Sequence, residues 1–241
     1  MSSFFLSKDE KLSYDFLTLV NMVNEKLNEV PLTSSTFAEA SGVYSDNKNA
    51  VNVAIRNINT ISFEWPFNHV VKELVLTPNT VRYNYEVDCK SIAFNTFRVK
   101  GDDTLMNNTQ SLAVMDYEQY LRDCSDMEYR PTRYAALPKA VVRTPTLQFG
   151  VVPPPNKAYT LVYEYYKLPL DLVLYSDVPT IPEVFKNVIF DGAMQYAYMF
   201  RGDVENAALS KSMFDEGRES MRTIFINRTE YARDYMVWRS K

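Results

Sequence analysis

The sequence predicts an α+β protein: a four-helix layer made from the N- and C-terminal segments, with an antiparallel β domain inserted between them. Three observations lead there. Apolar residues recur at helical spacing through residues 1–66 and again through 176–241. Between them, across 67–175, short runs alternate with a period of two and are bounded by turn residues. Prolines fall where the period changes, at Pro31, Pro66 and Pro182. The expected organisation is a helical domain from 1–66 with 176–241, a β domain from 67–175, and a C-terminal tail from 229–241.

The first helix has a capping box at Ser7-Lys8-Asp9-Glu10, in which the Ser hydroxyl and the Glu carboxylate satisfy each other's backbone amides. Leu17, Val20, Val23 and Leu27 share one face, and Pro31 ends the run. A second helix starts near Ser45. Val51, Ala54, Ile55, Ile58 and Ile61 follow its inward spacing, while Asn52, Arg56 and Asn59 point elsewhere. Trp65 before Pro66 is biased towards extended backbone and closes it.

Strands are then expected at "VVKELVL", "VRYNYEV", "SIAFNTFRVK" and "SLAVM". In the second, Val81, Tyr83, Tyr85 and Val87 face one way. "DYEQYLRDC" predicts a short helix with Tyr117, Tyr120 and Leu121 inward. "RYAAL", "KAVVRT", "LQFG" and "YTLVYEYYKL" continue the β pattern, with "VVPPPNK" as a rigid extended turn. Helix returns after the capping box Thr180-Ile181-Pro182-Glu183. Its stripe is wide: Phe185, Val188, Ile189, Gly192, Ala193, Tyr196, Met199 and Phe200. The small pair Gly192-Ala193 admits a close helix neighbour. Gly202 breaks the helix and Asp203 caps the next, whose stripe is Ala207, Phe214, Gly217, Met221, Ile224 and Phe225.

The composition excludes several classes. The 241 residues carry a formal net charge of -4, which opposes tight non-specific nucleic-acid binding. No apolar run is long enough to span a membrane, and "MSSFFLSKDEKLSYDF" has charges where a secretory core would continue. Cys89 and Cys124 make no metal or disulfide framework, which fits folding in a reducing cytoplasm. Six glycines, none in a phosphate-binding pattern, argue against a nucleotide site, and no cofactor is implied.

Catalytic groups are equally sparse. His69 is the single histidine, beside Asn68 at a helix-to-strand junction, and reads as a structural hydrogen-bonding residue. The acids Asp102, Asp103, Asp116, Glu118, Asp123, Asp126 and Glu128 match no calcium loop and read as solvated. No metal site and no catalytic residue are expected. The tail "NRTEYARDYMVWRSK" interleaves aromatics with Arg, a composition of protein interfaces.

Three stretches together resemble a family. "LVNMVNEKLNEVPLTSS" with "NAVNVAIRNINTISFEWPFN" looks like the N-terminal helical pair of bacteriophage head-to-tail adaptors, the tail tubular protein A or neck adaptor type. "DYEQYLRDC" and "LQFGVVPPPNKAYTLVYEYYKLPLDL" are similar to the close of their β region. "IPEVFKNVIFDGAMQYAYMFRGD" and the long helix after it resemble their C-terminal pair.

The resemblance implies a virion protein at the head-tail junction. It would form a homo-oligomeric ring, expected to be twelve-fold, between the portal protein and the tail nozzle or tail tube, with DNA passing through. It also implies that the tail engages the portal through Arg228, Tyr231, Arg233, Tyr235, Trp238 and Arg239. In such a ring Phe190 and Tyr198 would widen the first C-terminal stripe towards neighbouring subunits, with Gly192 in the packing. The alternatives are a non-viral protein-binding scaffold, and a carboxylate metalloenzyme that would depend on Asp102 and Asp103.

Overall fold

The computed structural model describes residues 14–100 and 109–226. The described residues up to Phe67 and from Pro169 onward form one compact unit; Asn68–Leu168 form the other.

The first unit is helical. Helix α1, Phe16–Lys26, is capped by Asp15, whose carboxylate accepts from the Thr18 amide at 2.8 Å and so satisfies a free N–H of the first turn. The capping box expected at Ser7–Glu10 lies outside the described residues. Helix α2, Val43–Thr60, follows a Gly42 with φ of 60°, a backbone shape glycine adopts without a Cβ clash. After the β unit, a 3-10 turn at Glu183–Phe185 leads into α6, Lys186–Phe200, and then α7, Val204–Phe225. The entry to α6 has no side-chain cap bond from Pro182 or Phe185. At the junction, Gly202 has φ of 75° and Asp203 accepts from the Asn206 amide at 3.2 Å, as the sequence predicts.

α1, α2, α6 and α7 share one apolar core containing Leu19, Val20, Val23, Val51, Ile58, Ile189, Ala193 and Met221. Each fully buried Leu or Ile there contributes about 2 kcal/mol through area removed from water. Three asparagines of α1 and α2 are buried with it, Asn24, Asn47 and Asn59. Asn47 donates to Asn24 at 2.8 Å, and Asn24 to Asn21 at 3.3 Å. Asn21 in turn brackets the Leu32 peptide, donating to its oxygen at 2.8 Å and accepting from its nitrogen at 2.7 Å. The Asn-rich first helix thus pins the loop behind it.

The second unit is two four-stranded sheets with a helical insertion. Its strands are β1 His69–Val75, β2 Arg82–Asn84, β3 Cys89–Lys100, β4 Thr109–Ser111, β5 Ala113–Met115, β6 Ala140–Arg143, β7 Gln148–Val152 and β8 Thr160–Lys167. The sheet orders are β1-β8-β3-β4 and β2-β7-β6-β5. Three rings occupy the core. Phe97 stacks on Tyr163 at 4.9 Å and meets Phe149 edge-on at 5.1 Å. Three short helices, α3 Tyr117–Asp123, α4 Asp126–Tyr129 and α5 Pro131–Tyr134, precede β6.

Several local expectations are corrected. "SLAVM" is two strands: β4 pairs with β3 and β5 with β6, and the buried Leu112 marks the step between sheets. β5 and β6 run parallel, so the unit is not wholly antiparallel. The start of "RYAAL" is helical because Pro131 presets the first turn of α5. Val87 is exposed because β2 ends at Asn84 and a turn closes from Cys89 N to Glu86 O. Tyr120 takes the inward position of α3, leaving Leu121 exposed one residue further round. Asn59 is buried rather than outward; its amide donates to the Ile55 carbonyl at 2.9 Å.

Candidate assembly interface

The α6–α7 hairpin owes its closeness to two glycines. A Cβ on Gly192 would lie 2.8 Å from two ring carbons of Phe214 in α7 and 2.9 Å from the Ala54 Cβ in α2. One on Gly217 would lie 2.9 Å from a Val188 methyl. Ordinary carbon contacts sit at about 3.5–4.0 Å. Gly192 is therefore the point where three helices meet, inside one chain. Phe190 and Tyr198 are partly buried and pack against the same core.

Beside this contact a groove of about 440 Å³ opens among α2, α6 and α7. Its lining is mostly polar and includes Asn57, Gln195, Tyr196, Lys211, Asp215 and Arg218. Asn57 donates to the Tyr196 hydroxyl at 2.7 Å, and Arg218 pairs with Asp215 at 3.0 Å while lying over Phe214. Asp191, also on α6, has its carboxyl held above the usual carboxylate range by burial.

The far end of α7 is held by aromatic rings. Phe225 meets Trp65 at 6.1 Å, Phe67 at 5.7 Å and Phe185 at 5.6 Å. Trp65 is itself fully buried, with its indole N–H donating to the Ile58 carbonyl at 2.7 Å. Arg222 lies over Phe63. This cluster fixes the point from which the C-terminal segment departs. The residues expected to touch the portal, Arg228, Tyr231, Arg233, Tyr235, Trp238 and Arg239, lie outside the described residues. Sequence reasoning missed the cluster. Its signal was "FEWPF" read together with Phe225, an aromatic at the last turn of a helix 160 residues away from Trp65.

Several of the polar residues singled out for chemistry have structural partners. His69 Nε2 lies 3.0 Å from Glu164, which also accepts from Arg98 at 2.9 Å. Asp116 caps α3, and Glu128 accepts from both Arg82, at 2.6 Å, and the Tyr120 hydroxyl, at 2.5 Å. Asp102 and Asp103 lie outside the described residues. Among the described residues no group of three His, Cys, Asp or Glu side chains converges to hold a metal ion. Cys89 and Cys124 are free thiols. Burial, with Asp88 and Glu86 nearby, pushes the Cys89 thiol up to about 11, away from the reactive thiolate. No described helix is long and apolar enough to cross a membrane.

Close helix packing at Gly192 and an aromatic anchor at the end of α7 are features of a structural kind of protein. Comparison with known proteins names the kind. The model of the SU10 adaptor protein family matches residues 14–239, nearly the whole chain. The chain belongs to that family, one of structural phage head-to-tail adaptors. No curated protein matches it.

Proposed function

We propose that this chain is one subunit of a ring, twelve-fold by expectation, that joins the portal to the tail nozzle or tail tube and completes the DNA exit channel. The four helices α1, α2, α6 and α7 form the ring-building layer. Gly192 serves assembly by setting the spacing of α6 against α2 and α7, and the exposed edges of Phe190 and Tyr198 face neighbouring subunits. The tail from residue 229 reaches the portal through its aromatic and Arg side chains, launched from the ring cluster around Phe225. A net charge of -4 suits a channel through which DNA slides without being held.

The observation that supports this reading most is a family match running from residue 14 to residue 239, through both helical segments and into the tail. Co-sedimentation with portal rings encoded in the same genome tests it. The full chain is expected to sediment with the portal. A chain ending at residue 228 is expected to remain folded and in the supernatant. Equal binding by both chains would remove the tail from the portal contact.

A further inference from the structure

The segment that returns the chain to the helical unit carries five outward apolar side chains within nine residues: Leu170, Val173, Leu174, Tyr175 and Val178. Leu170 is 84% exposed and Val173 73%. The backbone beneath them is tied down. The Phe16 amide donates to the Asp177 carbonyl at 2.8 Å, and the Leu17 amide to the Tyr175 carbonyl at 3.1 Å. Asn52 brackets the Leu172 peptide with two bonds of 3.0 Å. The segment's two charges are committed as well. Asp171 pairs with Arg56 at 2.6 Å, and Asp177 accepts from the Val173 and Leu174 amides at 2.8 and 2.7 Å. A strap held this way cannot fold its apolar side chains inward.

A second apolar group lies at the α6–α7 junction, where Met199, Phe200 and Val204 are all more than half exposed. The sequence stripe placed Met199 and Phe200 in the core; instead the last turn of α6 outruns its neighbours. Arg201 at that turn reaches the Leu27 carbonyl at 3.4 Å and Glu29 at 2.6 Å, just past the C-terminal end of α1. The strap, by contrast, binds the first amides of α1. The two groups therefore flank opposite ends of a helix of eleven residues, about 16 Å long.

We infer that the strap of one copy of this chain receives the α6–α7 junction of the next. A contact between two like patches would leave the other patch of each copy in water. A head-to-tail contact covers both and repeats, the symmetry that closes rings. At each contact the strap of one copy and the junction of the next would together cover on the order of 900 Å² of such residues, close to the apolar share, somewhat over half, of the roughly 1,600 Å² that a standard interface buries over both partners. Either patch alone is the size of the largest found on monomers, about 300–600 Å². This inference rests on the ring reading above and names its contact surfaces.

Two variants at exposed positions test it, Val173→Glu on the strap and Phe200→Glu at the junction. Both are expected to keep the wild-type circular dichroism and melting temperature. Sedimentation equilibrium up to about 1 mM is expected to show wild-type mass growing beyond a dimer, and self-association of each variant weakened about a hundredfold. An equimolar mixture retains one intact strap and one intact junction, so its mass is expected to stop at a dimer. Wild-type self-association by the Phe200→Glu chain would show that straps meet straps and overturn the inference. Rings on portals from both variants, as from wild type, would also overturn it while leaving the adaptor reading standing. A wild-type chain that stays a single subunit in solution and forms no ring on portals would remove both.

Discussion

Gly192→Ala sets two physical effects against each other, and the structure decides the sign. Alanine in a helix interior is favoured over glycine by about 1 kcal/mol. The added methyl, however, would sit 2.8 Å from the Phe214 ring and 2.9 Å from the Ala54 Cβ. The Phe214 ring borders the groove and can turn. The Ala54 Cβ is fixed to the α2 backbone and cannot, so α6 must move away from α2 by roughly 1 Å to restore a normal contact. Overpacking of this kind costs about 1–3 kcal/mol. Set against the helix gain, the middle of that range leaves a net loss of about 1 kcal/mol, a fall of roughly 0.5 M in the urea midpoint. The assay is urea unfolding followed by fluorescence in a Trp238→Phe background, where the buried Trp65 becomes the sole indole and reports the helical unit. Gly192→Leu is expected to lose more and to form no ring. A Gly192→Ala chain as stable as its parent, or more so, would refute the close-contact account of the hairpin.

Three further outcomes are expected. Asn47→Ala strips the buried Asn24 oxygen of its donor and should cost about 1–3 kcal/mol in the same unfolding assay; an unchanged midpoint would show that the asparagine chain is not structural. The Asp191 carboxyl has its pKa raised by burial, so its ionised form weakens the fold above the unfolded pKa and the deficit shrinks as pH falls through the folded value. Asp191→Asn should therefore raise the melting temperature at pH 7, with the advantage fading towards pH 4; a constant difference would contradict the titration. The Cys89 thiol, pushed up to about 11, should alkylate with iodoacetamide about a hundredfold more slowly at pH 8 in the folded chain than in urea, with a rate that climbs through pH 10. Its raised pKa also means that its contribution to stability is complete below about pH 8.5 and is lost as pH rises through the folded value.

The helices were the most legible part of this sequence, because a 3.6-residue period sustained over fifteen or more residues leaves little ambiguity. α2 and α7 run close to their expected bounds, and Gly202-Asp203 breaks and caps where residue chemistry says it should. The core stripes failed at Met199 and Phe200 in α6 and at Ile224 in α7, all exposed, since periodicity gives the direction of a side chain and not whether a neighbour extends that far. The β unit was legible in its long strands β1, β3 and β8. It was less so in three-residue strands and at Leu112, where the chain changes sheets without any break in its apolar run. Asn59 and the pair Asn24–Asn47 were hidden because a buried amide looks like a surface residue until its partner is known. The aromatic cluster around Phe225 and the strap over α1 join residues more than a hundred positions apart, and no local pattern records such pairings.

The proposed ring seated on a portal can be looked for in images. The purified chain is mixed with portal rings from the same genome and viewed by negative-stain electron microscopy. An added ring of density is expected at the portal's narrow end. Bare portals beside a folded, monodisperse chain would contradict it.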